Sequence, residues 1–419
     1  MCGILALIYP KGCSPSSRQL ERIVNRMSHR GPDGMGVRIN GEIGFAHRRL
    51  AVIDILDATQ PMVLPSGIKV TFNGEIYNFR ELRSTLVGCG HSFKHDSDTE
   101  VLLHAAEQWG PDCLNRLEGM FSLVVDDPIR GITWAARDRM GQKPLFAFDK
   151  RFFADIEHGF VSELKCVLPE QNCNRVVSPN AVSRFLAYDF MPDSDGFFVG
   201  VQKVAPGELW IIDRDNLSKK PIRKKWYNLP FGRLDKVNKH QAIEQLDEQL
   251  DIATQRCMVA DVPLGVFLSG GIDSSLITAY ACRHINPNSL KTFSIGFDNP
   301  AFDESIYAQN VANHLGTKHH NLSVDSSDLL NIVPRILSAQ DEPFADPSII
   351  PTAILSRFAR EEVTVALGGD GGDELFLGYP TFVAENILSY FSWVPPEVFS
   401  NLANFSHKFI PSGTGHYPW

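Results

Sequence analysis

Three segments of the sequence combine residue types that can carry out chemistry. Cys2 directly follows the initiator Met1, so removal of Met1 would leave a thiol and a free α-amine on one residue. An α-amine has a pKa of about 8 and can act as general base for the thiol beside it. The other two segments, Ser269–Ser275 and Gly368–Glu374, are rich in glycine and in hydroxyl or carboxylate side chains.

The first glycine-rich segment, LSGGIDSS, has the composition of a phosphate-binding loop. It follows an apolar run and precedes a predicted helix that begins near Ser274. Glycines let backbone N–H groups turn toward an anion, and a helix N-terminus and serine hydroxyls add further attraction. The segment lacks the Lys of a Walker loop, so simple transfer of a γ-phosphate is not predicted. The alternative interpretation is a tight structural turn.

The second glycine-rich segment, GGDGGDE, places Asp370, Asp373 and Glu374 within five residues. A calcium loop is one interpretation, but the spacing does not match an EF-hand. A loop that holds Mg²⁺ beside a nucleotide fits better, and Asp273 of the first segment is a candidate to share that ion. The pair His319–His320 is interpreted as packed strand histidines in preference to zinc ligands.

Both segments must be positioned by the elements around them, and after residue 240 apolar strands alternate with helical segments. This alternation predicts an α/β domain with a doubly wound parallel sheet. Ligands bind such sheets beyond the carboxyl ends of the strands, so the two loops are expected to meet at one site. The predicted strands are 264–268, 291–296, 320–324 and 363–367.

The first 200 residues instead show short strands with turn residues between them, and few helices, which predicts α+β layers. Residues 206–240 contain several prolines and basic residues with little periodicity, as is typical of a connector. We therefore expect one domain over 1–205, a connector over 206–240 and a second domain over 241–419.

Composition restricts the partners and the compartment. The formal net charge is -9, which argues against nucleic acid or an anionic membrane as the main partner. The eight cysteines are sparse and form no CxxC pair, as in a reduced, cytoplasmic protein. The sequence has no signal peptide and no apolar stretch of about 18 residues that would span a membrane.

A set of motifs in the first 100 residues closely resembles the glutaminase domain of class II amidotransferases, in which the N-terminal residue is the nucleophile. Together with SGGIDSS and GGDGGDE, they resemble the glutamine-hydrolysing asparagine synthetase family over about residues 1–390. The motifs, in order, are Cys2-Gly3-Ile4, Arg30-Gly31-Pro32-Asp33, His47-Arg48-Arg49-Leu50, Gln60-Pro61, Phe72-Asn73-Gly74-Glu75-Ile76-Tyr77-Asn78 and Ser97-Asp98-Thr99-Glu100.

For the first domain the resemblance implies αββα layers and hydrolysis of glutamine. Cys2 would attack the side-chain amide, and Asn73 with the Gly74 N–H would form the oxyanion hole. Taken alone, Asn73-Gly74 would be interpreted as a hairpin turn, and Arg49 and Asp98 as a surface ion pair; the ordered set of motifs favours the site. The implied glutamine-binding residues are Arg49 for the α-carboxylate, Glu75 and Asp98 for the α-ammonium region, and Leu50 and Ile53 along the pocket.

For the second domain the resemblance implies adenylation of a carboxylate with ATP and Mg²⁺, followed by displacement of AMP by ammonia. The acceptor is aspartate by default, although relatives amidate sugar acids, and a homodimer is possible. The implied ATP-binding residues are Leu268, Ser269, Gly270, Gly271, Asp273, Ser274, Ser275, Ile295, Gly368 and Gly369. The implied metal and substrate residues are Asp273, Asp370, Asp373 and Glu374.

The sequence departs from the family pattern at three points. Gly368 stands in place of a serine and Leu377 in place of a glycine, both mild changes. A lysine expected downstream is missing, because Lys408 lacks the surrounding motif. We therefore expect a synthetase domain that is incomplete at its C-terminus. Three interpretations stay open: a complete amidotransferase, a glutaminase with a non-functional synthetase half, and a non-enzymatic binding protein.

Overall fold

A computed structural model of the protein describes residues 1–192, 195–230 and 237–390, together with Trp393 and Val398. Lys408 lies outside the described residues. No helix in the described part of the chain is long and apolar enough to cross a membrane.

The strands are β1 (Gly3–Ile8), β2 (Gly34–Asn40), β3 (Ile43–Arg49), β4 (Met62–Val63), β5 (Lys69–Ile76), β6 (Gly119–Asp127), β7 (Ile132–Arg137), β8 (Phe146–Asp149), β9 (His158–Val161), β10 (Val201–Lys203), β11 (Glu208–Asp213), β12 (Ile222–Lys225), β13 (Leu264–Phe267), β14 (Lys291–Phe297), β15 (Lys318–Val324) and β16 (Val365–Leu367). The α-helices are α1 (Ser17–Asn25), α2 (Phe79–Gly88), α3 (Asp98–Trp109), α4 (Pro179–Tyr188), α5 (Lys239–Cys257), α6 (Ile272–His284), α7 (Ser305–Leu315), α8 (Ser326–Ala339), α9 (Ile349–Arg360), α10 (Gly372–Phe376) and α11 (Pro380–Ser389).

Among the described residues the first half forms two antiparallel six-stranded sheets. The first sheet has the order β10-β8-β9-β1-β3-β2, and the second has the order β12-β11-β7-β6-β5-β4. Cys2 precedes β1, near the centre of the first sheet, whereas Asn73 and Gly74 lie on β5 of the second sheet. The two sheets therefore bring distant parts of the sequence together at one end of the strands.

The strands alternate their side chains between two apolar layers, because successive residues of a strand point to opposite faces. On β1, Ile4, Ala6 and Ile8 pack against the second sheet, while Leu5 and Leu7 pack in the layer that holds α1. The second sheet packs its outer face on α2 and α3 through a third cluster. The order of layers is helix, sheet, sheet, helix, which confirms the αββα prediction.

The strands β11 and β12 lie in the segment 206–240, where the sequence predicted a connector with little regular structure. Strand β11 pairs with β7, and β12 pairs with β11. Leu209, Trp210 and Ile212 are buried, and Trp210 and Ile212 belong to the layer between the sheets. The apolar run in β11 is only a few residues long, so the neighbouring lysines and prolines obscured it in the sequence. The predicted domain limits at 205 and 240 stay a prediction.

The second half contains a parallel sheet with the order β15-β14-β13-β16 in the described residues. Val266 packs toward α6 on one face, and its neighbour Phe267 packs toward α9 on the other. Helices therefore cover both faces, which confirms the doubly wound prediction. His319 lies on β15 and its ring nitrogens contact the hydroxyls of Thr292 and Ser294, as expected of a packed strand histidine.

Candidate active sites

The thiol of Cys2 lies against the backbone that follows β3. Its Sγ accepts a hydrogen bond from the Leu50 N–H at 3.4 Å. The buried guanidinium of Arg30 donates to the Cys2 carbonyl at 2.8 Å and pairs with Glu163 at 2.9 Å. Burial raises the pKa of the Cys2 thiol. The thiol therefore needs a base to become a nucleophile.

The Asn73-Gly74 pair lies within strand β5, where it pairs with β6, and not in a hairpin turn. Asn73 is fully buried opposite Ser122 of β6, and its Nδ2 lies 3.5 Å from the Ser122 hydroxyl. A Cβ on Gly74 would come 2.0 Å from the Met120 carbonyl oxygen, so only glycine fits. The Asn73 Oδ1 is buried and has no hydrogen-bond partner among the described residues.

Arg49 is oriented by the loop that follows its own strand. Its guanidinium donates to the backbone carbonyls of Ile53 at 3.2 Å and Ile55 at 2.9 Å, and also to that of Asp54. These bonds use both hydrogens of Nη2 and one of Nη1, so the Nε–H and one Nη1–H stay available to a ligand. Ile53 is buried in the same cluster against which Leu50 packs.

Asp98, which is buried, and Glu75, which is half-buried, form an acidic pair near the thiol. Asp98 is the first residue of α3, and its carboxylate accepts a hydrogen bond from the Ile76 N–H at 3.0 Å. Burial raises the pKa of Asp98 to about 6, while Arg49 acts in the opposite direction. Burial and the charge of Asp98 raise the pKa of Glu75. A positively charged ligand group would relieve this repulsion.

Lys143 was missed by the sequence analysis. It is buried, and burial lowers the pKa of its ammonium group, while Glu75 favours the charged form. It precedes β8 in a loop whose N–H groups bond to Asp138. A Lys-Pro pair in a loop carries no local signal for burial, so only the fold reveals this residue.

The loop Val52–Ile55, whose carbonyls orient Arg49, also contacts the second half of the chain. The Asp54 N–H donates to the Asp261 carboxylate at 2.9 Å, and the Asp261 N–H donates to the Val52 carbonyl at 2.9 Å. These two bonds lie on either side of Ile53, whose carbonyl accepts a hydrogen bond from Arg49. The segment before β13 and the Arg49 side chain therefore both stabilise the loop around Ile53.

The predicted phosphate loop lies between β13 and α6, beyond the carboxyl end of the sheet. The Ser274 hydroxyl accepts from the Ser269 N–H at 3.2 Å and contacts the Ser269 hydroxyl at 3.0 Å. Gly270 has φ 87° and a Cβ there would come 2.5 Å from the Tyr307 backbone, so both conformation and space require glycine. The loop is closed on itself and ends at the N-terminus of a 13-residue helix.

The acidic loop lies directly against the phosphate loop. A Cβ on Gly369 would come 2.8 Å from the Ser274 nitrogen, and one on Gly372 would come 2.3 Å from the Asp273 carboxylate. A cavity of about 1000 Å³ opens between the two loops. The predicted residues that line it are Leu268, Ser269, Gly271, Asp273, Ser274, Ile295, Gly368, Gly369, Asp370, Asp373 and Glu374. Gly270 and Ser275 belong to the loop but are not among the lining residues.

The cavity is acidic, and the described residues that line it include no Lys, Arg or His. Asp273, Asp370, Asp373 and Glu374 offer the oxygen ligands that Mg²⁺ prefers, so the donor set fits this ion. In the part of the chain that the structure describes, these carboxylates do not form a compact group of three ligand atoms. They would hold the ion together with the phosphates of a nucleotide.

Other residues of the cavity were not anticipated from the sequence. Thr352 and Leu355 reach it from α9, and Tyr379 donates to the Glu374 carboxylate at 2.9 Å. Two acidic residues before α9, Asp341 and Glu342, instead contact the first half of the chain. Asp341 accepts from the Lys165 N–H at 2.7 Å, and Glu342 pairs with Lys203 at 3.0 Å.

Comparisons with known proteins agree with both halves. Residues 1–227 match the family described as "Glutamine amidotransferase domain", and residues 245–414 match "Asparagine synthase". Asparagine synthetase [glutamine-hydrolyzing] 1 of Bacillus subtilis is 33% identical over 94% of this chain and 61% of its own length. A putative asparagine synthetase of Methanocaldococcus jannaschii is 33% identical over 91% of this chain and 76% of its own length.

The chain thus spans 61% of the length of its B. subtilis relative. Among solved structures, a glutamine phosphoribosylpyrophosphate amidotransferase from B. subtilis aligns over 77% of this chain and 81% of that chain. Its sequence identity is 15% and its TM-score is 0.39, too low to support an argument. The sequence matches are sufficient by themselves: the chain belongs to the glutamine-hydrolysing asparagine synthetase family, with a class II glutamine amidotransferase domain followed by an asparagine synthase domain.

Proposed function

We propose that the protein is a glutamine-dependent amidotransferase of the asparagine synthetase type. In this proposal Cys2 releases ammonia from glutamine, and the ammonia amidates a carboxylate that ATP has adenylated, with aspartate as the default acceptor. The observation that carries the proposal is the position of the Cys2 thiol. It lies at the start of β1 against the Leu50 backbone, and the charges of Glu75 and Asp98 act on it.

The first half-reaction needs a base, because burial raises the pKa of the thiol. Burial lowers the pKa of the Met1 amine to about 6. An amine that is unprotonated at neutral pH can act as a general base. Once Met1 is removed, the Cys2 amine takes the thiol proton, and Sγ attacks the amide carbon. The amine then returns the proton to the leaving nitrogen, which departs as ammonia. Water hydrolyses the resulting thioester and glutamate is released.

Charge in this reaction develops on the amide oxygen of glutamine. The Asn73 side-chain amide and the Gly74 N–H would donate to that oxygen, and losing one such donor typically costs about 3 kcal/mol of transition-state stabilisation. Arg49 would bind the α-carboxylate, and the acidic pair Glu75 and Asp98 would bind the α-ammonium group.

The second half-reaction would take place in the acidic cavity. The loop from Ser269 to Ser275 would bind the pyrophosphate portion of ATP, and Leu268, Ile295, Gly368 and Gly369 would contact the rest of the nucleotide. Mg²⁺, when bound with ATP, neutralises phosphate charge. Asp273, Asp370, Asp373 and Glu374 would orient the ion and the acceptor. Glutamine, ATP and the acceptor carboxylate are small molecules, as suits a cytoplasmic enzyme.

The test is an assay of glutamate release from glutamine by the purified protein, combined with intact-mass spectrometry. We expect glutamate release from protein that lacks Met1. Steady turnover by protein that retains Met1 would contradict the assignment of the α-amine as base. Absence of glutamate release from protein that starts at Cys2 would contradict the proposed glutaminase.

A further inference from the structure

His91, His104 and Glu107 form a compact cluster on the outer face of the glutaminase domain. His91 lies in the loop after α2, and His104 and Glu107 are one turn apart on α3. The two Nδ1 atoms are 3.1 Å apart, and each is 3.4 Å from the same Glu107 carboxylate oxygen. Three potential metal ligands therefore converge from two segments of the chain.

We infer that His91, His104 and Glu107 bind a divalent transition metal ion, with Zn²⁺ the first candidate, through the two Nδ1 atoms and one carboxylate oxygen. In a tetrahedral site with ligands about 2.0–2.1 Å from the ion, neighbouring ligand atoms are about 3.3 Å apart. The observed separations have this size. A water molecule would complete the four ligands, because the cluster is partly open to solvent on the Glu107 side.

The surroundings fix the ring of His91 in the form that a metal requires. Its Nε2 lies 2.9 Å from the Gln108 side-chain oxygen, which only accepts hydrogen bonds. Nε2 must therefore carry the proton, which leaves a lone pair on Nδ1. Such a bond from the second ring nitrogen is the usual support of a metal-binding histidine.

His104 is the more enclosed ligand. Its side chain is 9% exposed and packs edge to face against Phe93, and its Nε2 has no hydrogen-bond partner in the described residues. The alternative to a metal is a hydrogen bond between two neutral rings. That bond needs the proton on Nδ1 of His104, whereas a metal at Nδ1 would place the proton on Nε2.

The ion would tie the loop before Asp98 to the helix that begins at Asp98. Ser97 caps α3 by accepting from the Glu100 N–H at 3.2 Å, and the Glu100 carboxylate accepts from the N–H groups of Lys94 and His95. The metal would add a second connection between this loop and α3, at His104 and Glu107. Its role is structural, and it does not depend on the proposed glutaminase chemistry.

The experiment uses the whole chain with Cys2→Ala, which removes the thiol of the candidate active site as an alternative metal ligand. Zn²⁺ retained after dialysis is measured by mass spectrometry, and Co²⁺ is titrated by visible absorption. We expect one retained Zn²⁺ and a tetrahedral Co²⁺ spectrum. His91→Ala should weaken binding by about 100-fold or more, and Gln108→Ala by about 10–100-fold.

The matched control is His240→Ala, which removes a histidine paired with a glutamate on α5 at 3.3 Å. It should leave metal content unchanged. Zn²⁺ should also raise the midpoint of thermal unfolding of the parent and not that of His91→Ala, because a ligand that binds the folded state stabilises it. Equal Zn²⁺ affinity of the parent and His91→Ala, or no saturable binding by the parent, would overturn the inference.

Discussion

The two candidate active sites differ in how far the fold alone assembles them. Around the glutaminase site, Asn73 and Asp98 are buried between apolar layers that contain many fully buried side chains. In the described part of the second domain, each apolar cluster has only three buried residues, and the site is an open cavity of about 1000 Å³. The first site is preorganised, whereas the second must gather its ligands around a nucleotide.

Charge follows the same division. The glutaminase site places Arg49, Lys143 and Arg30 near its acidic groups, and their positive charge offsets only part of the cost of burying those carboxylates. The described lining of the second cavity carries carboxylates and no basic side chain. A polyanionic nucleotide there depends on its metal ion and on backbone N–H groups. Substitutions should therefore affect the first site through single contacts, and the second through the bound ion.

The largest expected effect is the separation of the two activities by Cys2→Ala. Glutamate release should fall by about 10⁴-fold or more, because the nucleophile is lost. ATP binding should not change, since the cavity lies in the other domain. Glutamate release is measured by a coupled assay and ATP binding by calorimetry. Cys13→Ala, which removes an exposed thiol, is the control. Wild-type glutamate release by Cys2→Ala would disprove the assigned nucleophile.

The next effect concerns the second site. We expect this chain to bind Mg-ATP. We expect it to form amide about 10³-fold more slowly than an enzyme whose cavity contains a basic side chain, because no cation in the described lining stabilises the adenylation transition state. Pyrophosphate release is measured with ATP, Mg²⁺, ammonia and aspartate, beside an ATP titration. Rapid pyrophosphate and asparagine formation would refute the expectation. A complete failure to bind ATP would refute the assignment of the phosphate loop.

A smaller effect is expected for Arg49→Ala. The KM for glutamine should rise by about 10–100-fold with little change in kcat, because a carboxylate contact stabilises ground and transition states alike. The control is Arg38→Ala, since Arg38 is exposed on β2 and bonds only to a neighbouring carbonyl in the described residues. A fall in kcat at constant KM would instead indicate a role in the chemical step.

Local patterns predicted α+β layers for the first domain and a doubly wound parallel sheet for the second, whereas the αββα order followed from the family resemblance. Cys2–Tyr9 is an apolar strand candidate, and the strands from residue 264 onward alternate with helices, so each could be recognised within a short window. The phosphate and acidic loops were predicted to meet because parallel strands end at the same edge, and they do line one cavity.

Features that depend on long-range contacts were not predictable. Arg49 is oriented by carbonyls of its own loop, and that loop is held by Asp261, which is more than 200 residues away. Strand β11 forms because it pairs with β7, although the basic residues and prolines of 206–240 suggested a connector. The His91–His104 contact likewise spans a loop and a helix. None of these leaves a periodic signal, since each is decided by the fold as a whole.

The smallest effect is on stability, and it tests whether the first site stores unfavourable charge. The pKa of Asp98 is raised from 3.8 to about 6 by burial, so this group stabilises the fold below pH 3.8 and that contribution is lost as the pH rises through 6. Above pH 6 the folded protein must hold a buried carboxylate, mostly uncompensated until a ligand ammonium arrives. Asp98→Asn removes this cost, and its side-chain oxygen can still accept from the Ile76 N–H.

We therefore expect ligand-free Asp98→Asn to be more stable than the parent at pH 7 by about 1–3 kcal/mol, with the advantage shrinking toward pH 4. Urea unfolding of the first domain from pH 4.5 to 7.5 measures this difference, and Asp215→Asn at an exposed position is the control. Glutamine should bind the variant more weakly, because the charge that costs stability is the one proposed to attract the ammonium group. A variant less stable than the parent at every pH would show that the Asp98 carboxylate stabilises the fold through its hydrogen bond from the Ile76 N–H. Its charge would then be compensated within the fold, and the contrast between a preorganised first site and an open second site would rest on packing alone.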